Sequence, residues 1–319
     1  MSRPSRSGTA HDERGAVNVV VALLMIPLIG FAAIAIDVSA MWSERQQLQT
    51  GADASALAIA QDCARQACGT PSATASSLTS ANFIAGTASA QVLTPALSSA
   101  TGRVTVRTST VTQHVFAPLL GFDQADLSAR ATVRWGSPTG GSAVLPLAFG
   151  WCEFEQQTGG GLPSSTTRHT IFQTKTSDTG CTGPSGNLVP GGFGWLRTDP
   201  GTCRASSTIS MDVPTDPGSS VPSTCTSADL VGMLDTTVLL PIFDRYQGTG
   251  SSATYHVYAY AAFRVTAYHF GGQNSYGSPC NGNDRCIRGY FTTMVELDDA
   301  FEYSTTAPQL GASIVSLTD

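Results

Sequence analysis

The chain begins with one long apolar run. Residues 16–36 read AVNVVVALLMIPLIGFAAIAI, in which Asn18 is the single polar side chain. As an α-helix at 1.5 Å per residue, this run is about 31 Å long, which matches the hydrocarbon core of a bilayer. The pattern therefore predicts a transmembrane anchor over residues 16–36.

The charges on either side of this run predict its orientation. Arginines precede it, with Arg14 and Gly15 at its entrance, whereas Asp37 and Glu44 follow it. Because positive flanks remain in the cytoplasm, residues 1–15 are predicted to be a cytoplasmic tail. The chain is thus expected to be a single-pass protein of the cell membrane, with everything after the run outside.

Two kinds of processing compete with a permanent anchor. Ala33-Ile34-Ala35 has the small residues of a signal-peptide cleavage site, but the apolar run is longer than the core of a cleaved signal. A cut after Gly15 would resemble prepilin processing, yet Val20 occupies the position where a prepilin carries Glu. We interpret the run as an uncut anchor.

The helical pattern continues beyond the membrane. Residues 39–67 contain no proline and are rich in alanine, which predicts a continuous helix with a thin apolar stripe that needs a partner surface. Cys63 and Cys68 lie too far apart for a disulfide in an unbroken helix. Either the helix ends between them, as the stop signals Gly69 and Pro71 favour, or each cysteine pairs elsewhere.

Further along, the periodicity changes to that of strands. Residues 72–90 are consistent with one more helix, and apolar residues alternate over 103–109 and 128–135, with an apolar turn at 116–121 between them. A long helix followed by a small antiparallel sheet is also the plan of pilin-like proteins. Residues 37–135 are therefore expected to form a first exported module.

A second exported module is expected over residues 142–319. Glycine, serine and proline at 136–141 predict a hinge before it. Apolar strands separated by Gly/Pro-rich loops then indicate an antiparallel sandwich or barrel-like fold. Those strands are predicted at 143–149, 168–174, 236–243, 255–270 and 286–297. The fold class is thus α+β, with a transmembrane helix that leads into an Ala-rich helix and a mainly antiparallel β region.

Eight cysteines are the strongest chemical signal in the exported part. Their spacing lacks the knuckles of zinc sites, and an even number in an exported chain favours disulfides. Cys280 and Cys286 flank the turn sequence NGNDR, which predicts that they pair with each other. The other four allow three pairings. The preferred pairs are Cys152 with Cys181 and Cys203 with Cys225.

Composition and charge exclude a nucleic-acid partner. Charged residues make up 13% of the chain, and 17 Lys and Arg stand against 23 Asp and Glu, with Lys175 as the sole lysine. A nucleic-acid binder needs clustered positive charge to displace counterions, and this chain lacks it.

The search for catalytic motifs leaves few candidates. No G-x-S-x-G elbow supports a serine hydrolase, and His256 lies in an aromatic strand where a packed histidine is expected. An acidic group, formed by Glu296, Asp298, Asp299 and Glu302, has calcium-type oxygen ligands but is interpreted as a solvated strand end. We therefore expect no enzyme activity, no metal, no cofactor and no small-molecule substrate.

The first part of the chain resembles a known family. Residues 14–67 carry RGAVNVV, then AIDV at 35–38 and QQLQTGADASALAIA at 46–60. They resemble the N-terminal module of the Flp/Tad (tight adherence) pilus-assembly proteins of the TadE/TadG-like group. Gly51 stands where the family often has alanine. The residues that fall on the family pattern are Asp37, Gln47, Leu48, Gln49, Asp53, Ala54, Ala56, Leu57 and Ala58.

Later segments also look like the exported parts of actinobacterial members of this group. They are PGGFGWL at 190–196, DPGSSVP at 216–222 and AAFRVTAYHF at 261–270. Larger TadG proteins carry a von Willebrand A domain whose metal site begins D-x-S-x-S. The nearest match starts at Asp37 but has Met41 in the fifth position, so that domain is not expected.

The resemblance implies a role in assembling or anchoring tight-adherence pili. Its implied partners are the lipid bilayer and other Flp/Tad subunits, against which the anchor and the Ala-rich helix would pack. Two other hypotheses remain: a cell-surface adhesin or binding module that shares the anchor, and an exported hydrolase.

Overall fold

The chain folds into a long N-terminal helix followed by a mostly β region. A computed structural model describes residues 14–173, 180–218, 220–297 and 301–318. The predicted α+β class is confirmed, and antiparallel pairing predominates in the described sheets.

Most of the described strands follow one another along the chain without an α-helix between them. The helices are α1 (Arg14–Ala64), α2 (Pro71–Asn82), α3 (Trp151–Thr158) and α4 (Ser227–Gly232), with short 3-10 helices at Ser99–Thr101, Ala117–Leu120 and Gly250–Ser252. The strands are β1 (Ser89–Val92), β2 (Arg103–Gln113), β3 (Gln124–Ala143), β4 (Leu147–Gly150), β5 (His169–Phe172), β6 (Phe193–Trp195), β7 (Ala205–Thr208), β8 (Asp212–Pro214), β9 (Thr237–Gln247), β10 (Thr254–His269), β11 (Ser275–Tyr276), β12 (Cys286–Thr292), β13 (Met294–Glu296), β14 (Phe301–Ser304) and β15 (Ala312–Thr318).

Helix α1 runs for 51 residues without a break. It includes Pro27 and passes through the predicted boundary at Asp37, so the expected continuation beyond the apolar run is confirmed. It ends at Ala64, two residues before Gln66 adopts a left-handed backbone conformation. The end therefore falls between Cys63 and Cys68, as the stop signals favoured.

The first sheet forms a platform for the second half of α1. Its strand order is β1-β2-β3-β15-β13, antiparallel except for the parallel pair β13 and β15. Small side chains of α1 pack onto it together with α2. The buried residues of this core are Ala52, Ala56, Ile59, Ala60 and Cys63 of α1, Ala75 of α2, and Val104, Val106, Ala131, Val133, Trp135 and Val315 of the sheet.

The hinge predicted at residues 136–141 is wrong, because these residues lie inside strand β3. Their glycines serve close packing and not a turn. A Cβ on Gly136 would lie 2.6 Å from the carbonyl carbon of Ser304, and one on Gly141 would lie 2.4 Å from the ring of Phe301. The paired strand β14 therefore requires the absence of side chains there.

The second sheet has the order β5-β12-β10-β9-β4-β6, with β8 and β11 also paired to β10. Its core is aromatic, and the ring of Phe149 lies 4.8 Å from that of Phe263 and 5.5 Å from that of Phe291. The strands predicted near 236–243, 255–270 and 286–297 all belong to it or to its edge with the first sheet.

The two sheets contact each other through a small apolar cluster. Strand β15, near the end of the chain, lies beside β3 in the first sheet, and Ile314 of β15 packs in one cluster with Tyr260 of β10. The hydroxyl of Ser313 also donates to the carbonyl of Ala64 at the end of α1. Strand β15, from the predicted module 142–319, therefore pairs with strand β3, most of which belongs to the predicted module 37–135.

Candidate functional site

The most distinctive surface is the uncovered apolar part of α1. Within the described residues, one helix is long and apolar enough to cross a membrane, and none of its apolar stretch is buried inside the protein. Arg14 and Gly15 begin this helix. An uncovered apolar helix of this length is compatible with a single-pass membrane anchor.

Asp37 marks the end of the exposed apolar stretch and is itself buried. Its carboxylate accepts three backbone hydrogen bonds from the turn between β2 and β3. The donors are the N–H groups of Val115 at 2.9 Å, Phe116 at 3.0 Å and Ala117 at 2.7 Å. Because these groups precede and begin the 3-10 helix Ala117–Leu120, the carboxylate caps that helix from another part of the chain.

The electrostatics of this contact favour the ionised carboxyl. Burial raises the pKa of Asp37, but the three N–H donors and the nearby His114 together outweigh it and hold the pKa below its ordinary value. Asp37 thus holds the turn at 116–121 in addition to ending the apolar stretch. The sequence predicted both the acid and the apolar turn at 116–121, but it contained no signal that they touch.

Two further hydrogen bonds connect strand β2 to α1 on the C-terminal side of Asp37. The hydroxyl of Thr112 donates to the carboxylate of Glu44, and that of Thr108 donates to the carbonyl of Leu48 at 2.9 Å. Asp37, Glu44 and Leu48 are spaced so that they share one face of the helix. Strand β2 therefore runs along α1 toward the exposed apolar stretch.

Two of the five residues predicted to form the assembly helix, Gln47 and Leu48, contact other parts of the same chain. Leu48 is fully buried against Phe83 and Ala129. The side chain of Gln47 accepts a hydrogen bond from the backbone N–H of Ile84 at 2.9 Å. Leu48 is therefore unavailable to another subunit, because the first sheet and α2 cover the apolar stripe that was expected to need a partner.

The remaining predicted positions are partly accessible. Asp53 accepts a hydrogen bond from the side chain of Gln49 at 2.8 Å, and Ala54 and Leu57 are half-buried. These three side chains leave a narrow exposed face on this part of α1.

Gly51 lies where α1 and α2 come closest. A Cβ on Gly51 would lie 3.2 Å from the Cα of Thr79. One turn later, the hydroxyl of Ser55 donates to the carbonyl of Ala75 at 3.2 Å. The close approach of the two helices explains why this chain has glycine where the family often has alanine.

Four disulfides join the cysteines of the chain. The bonds connect Cys63 with Cys68, Cys152 with Cys181, Cys203 with Cys225, and Cys280 with Cys286. The first closes the end of α1, and the last closes the turn that precedes β12. No cysteine is free.

The geometry around His256 differs from that of a serine hydrolase. Its Nδ1 lies 2.8 Å from a carboxylate oxygen of the buried Asp244, whose other oxygen accepts from the hydroxyl of Ser185. In a catalytic triad the histidine stands between serine and aspartate. Here the aspartate stands between them, so His256 does not activate Ser185.

The acidic group at residues 296–302 is described only in part. Asp298 and Asp299 lie outside the described residues, whereas Glu296 is half-buried and Glu302 is exposed. Within the part of the chain that the structure describes, no cluster of three metal-ligating side chains is present.

Comparison with known proteins agrees with the location of this site. Residues 15–62 match the Tad family model of Flp pilus-assembly TadE/G-like proteins. Neither the comparison with curated proteins nor that with solved structures gave a match to this chain. The matched stretch corresponds to nearly all of α1, which includes Asp37 and the buried Leu48. Over residues 15–62 the chain is therefore similar to the Flp pilus-assembly TadE/G-like family.

Proposed function

We propose that this chain is a single-pass, non-enzymatic component of Flp pilus assembly, with residues 1–15 in the cytoplasm and both sheets outside the cell membrane. The observation that carries the proposal is how the two parts of helix α1 are covered by the rest of the chain. Its first part is apolar and uncovered, its second part is built into a folded domain, and the family match lies on the same helix.

The flanking charges and the disulfides support this orientation. Arginine lies on the entry side of the apolar stretch and acidic residues follow it, which favours a cytoplasmic N-terminus. All eight cysteines lie after the apolar stretch and are paired. Structural disulfides persist in oxidising compartments, so their position is consistent with export of the domain.

The mechanism proposed is positioning through subunit contacts. Because Leu48, Ile59 and Ala60 of α1 form part of the domain core, the domain cannot rotate independently of the membrane helix. Contacts between the uncovered stretch of α1 and membrane helices of other Flp/Tad subunits would then orient the sheets. The half-buried face at Asp53, Ala54 and Leu57 is a second candidate contact, just outside the membrane.

The test separates anchoring from specific packing. In a strain that lacks the gene, pili are counted by electron microscopy after complementation with the native chain or with a chimera. In the chimera, residues 16–36 are replaced by an unrelated membrane-spanning sequence of equal length, and Arg14 and Asp37 are kept. We expect the chimera to reach the membrane in normal amounts but to restore fewer pili.

Three results would count against parts of the proposal. Normal pili in the strain without the gene would overturn the assembly role. Full restoration by the chimera would limit residues 16–36 to anchoring. Normal pilus number with lost attachment to surfaces would favour the adhesin hypothesis.

A further inference from the structure

We propose that the turn between β2 and β3 is a second membrane-contact site, at which the side chains of Val115, Leu119 and Phe122 enter the lipid interface beside the exit of α1. The inference rests on the membrane anchoring of α1 proposed above. It concerns residues 115–122, which lie outside the segment matched by the family.

The composition and exposure of this turn are unusual for a water-facing loop. Residues 115–122 read VFAPLLGF and contain no charged or polar side chain. Leu119 is 87% exposed, Val115 71% and Phe122 65%. Soluble surfaces rarely group large apolar side chains in this way, and such groups mark contacts with membranes or partners.

The position of the turn favours lipid as the occupant. Asp37 is the first residue after the predicted membrane span, and its carboxylate holds the backbone of Val115, Phe116 and Ala117. The turn is therefore fixed at the height where α1 leaves the bilayer. Its apolar side chains are exposed beside the end of the uncovered apolar stretch of the helix.

Hydrogen bonds hold the backbone of the turn on both sides. The backbone N–H of Phe122 donates to the carbonyl of Ala117, and that of His114 donates to the carbonyl of Asp123. Asp37 holds the other side of the turn. Its insertion therefore requires no rearrangement of the domain.

Neighbouring residues match the polarity gradient of a membrane interface. Trp42, which is 66% exposed, lies five residues beyond Asp37, or about 7–8 Å further along the helix axis. Tryptophan concentrates at this level of membrane proteins. Behind the apolar tip, the backbone N–H of His114 donates to the carbonyl of Asp123. One residue pair further back, the exposed side chains of Gln113 and Gln124 hydrogen-bond each other.

The depth of the tip is measurable in the full chain. A fluorescent label would be attached through an unnatural residue, which leaves the cysteines untouched, and the protein would be placed in lipid nanodiscs. One labelled protein carries the probe at Leu119. Two references carry it at Leu28, within the span, and at Leu317, an exposed leucine on β15. Quenching by iodide in water is compared with quenching by two lipids, one with a nitroxide near the headgroup and one with a nitroxide deep in the acyl chain.

We expect the Leu119 probe to be quenched by the lipid with the headgroup nitroxide and to be several-fold less sensitive to iodide than the Leu317 probe. A Leu119 probe that behaves like the Leu317 probe, while the Leu28 probe is quenched by the lipid with the deep nitroxide, would overturn the membrane contact and favour a protein partner for the turn. Iodide access at Leu28 would instead overturn the proposed anchor itself.

Discussion

The carboxylate of Asp37 accepts a hydrogen bond of 2.7 Å from the backbone N–H of Ala117, a residue 80 positions later in the chain. This contact joins the end of the apolar helix to the tip of the β2–β3 hairpin. It fixes the end of the exposed apolar stretch against the tip of the hairpin.

Replacing Asp37 by alanine is expected to release the tip. The backbone N–H groups of Val115, Phe116 and Ala117 would lose their acceptor, so their amide hydrogens should exchange faster in the full chain. Hydrogen–deuterium exchange with mass spectrometry measures this. The control is Ser39→Ala, which removes an exposed hydroxyl bonded to the carbonyl of Ile36. Equal exchange in D37A and the native chain would contradict the capping role.

The same contact predicts a pH dependence. Because the pKa of Asp37 is lowered in the folded chain, its contribution to stability is present above the ordinary aspartate pKa and is lost as pH falls through the lower folded value. Exchange protection at residues 115–117 should therefore persist below about pH 3.9 and disappear on further acidification. The variant Asp37→Asn, which does not titrate, should lack this transition, and a transition retained in D37N would assign it to another group.

Leu48 is predicted to contribute to the chain's own stability. The variant Leu48→Ala leaves a cavity next to Phe83 and Ala129, and it should lower the free energy of unfolding by about 3 kcal/mol. The matched control Leu57→Ala truncates a half-buried leucine on the same helix and should cost less. Chemical denaturation of the full chain in detergent micelles compares them. A neutral L48A variant would indicate that the helix is not packed on the sheet.

The glycines of β3 are predicted to be intolerant of a methyl group. Gly136→Ala places a Cβ against the backbone of Ser304, so its free energy of unfolding should fall by about 1–3 kcal/mol. Gly232→Ala is the control, because no atom lies within 4 Å of its added Cβ and its backbone suits any residue. Thermal unfolding distinguishes them. Equal melting temperatures for the two variants would revive the interpretation of residues 136–141 as a hinge.

Loop length predicts that the four disulfides differ in importance. Loss of the Cys63–Cys68 bond, whose partners are 5 residues apart, should cost about 2 kcal/mol. Loss of the Cys152–Cys181 bond, with a separation of 29, should cost about 3.5 kcal/mol. Paired cysteine-to-alanine variants and denaturation test this order.

Non-reducing peptide mapping of the native chain checks the pairs, and free thiols there would contradict both the bonds and the export of the domain.

Local patterns predicted the parts of this protein whose structure depends on nearby residues. The uninterrupted apolar run and the proline-free stretch after it predicted one long helix, because helix formation depends on contacts within a few residues. Alternation at residues 103–109 and 128–135 predicted strands for the same reason. Gly69 and Pro71 indicated the helix end, since their backbone preferences act locally.

Residues 136–141 show where local patterns fail. Glycine, serine and proline occur both in turns and where two backbones approach closely, and these two situations look alike in a sequence. The choice between them depended on β14, which pairs with this stretch from more than 150 residues away.

The sequence by itself determined the apolar helix, the strand-rich region that follows it and the presence of cysteines suited to disulfides, because these follow from composition and short-range periodicity. Only the tertiary structure decided that Leu48 faces the chain's own sheet, that Gly136 lies inside a strand and that Asp37 holds Ala117. Each of these depends on a partner distant in sequence, and a contact of that kind is specified by the packing of the whole fold.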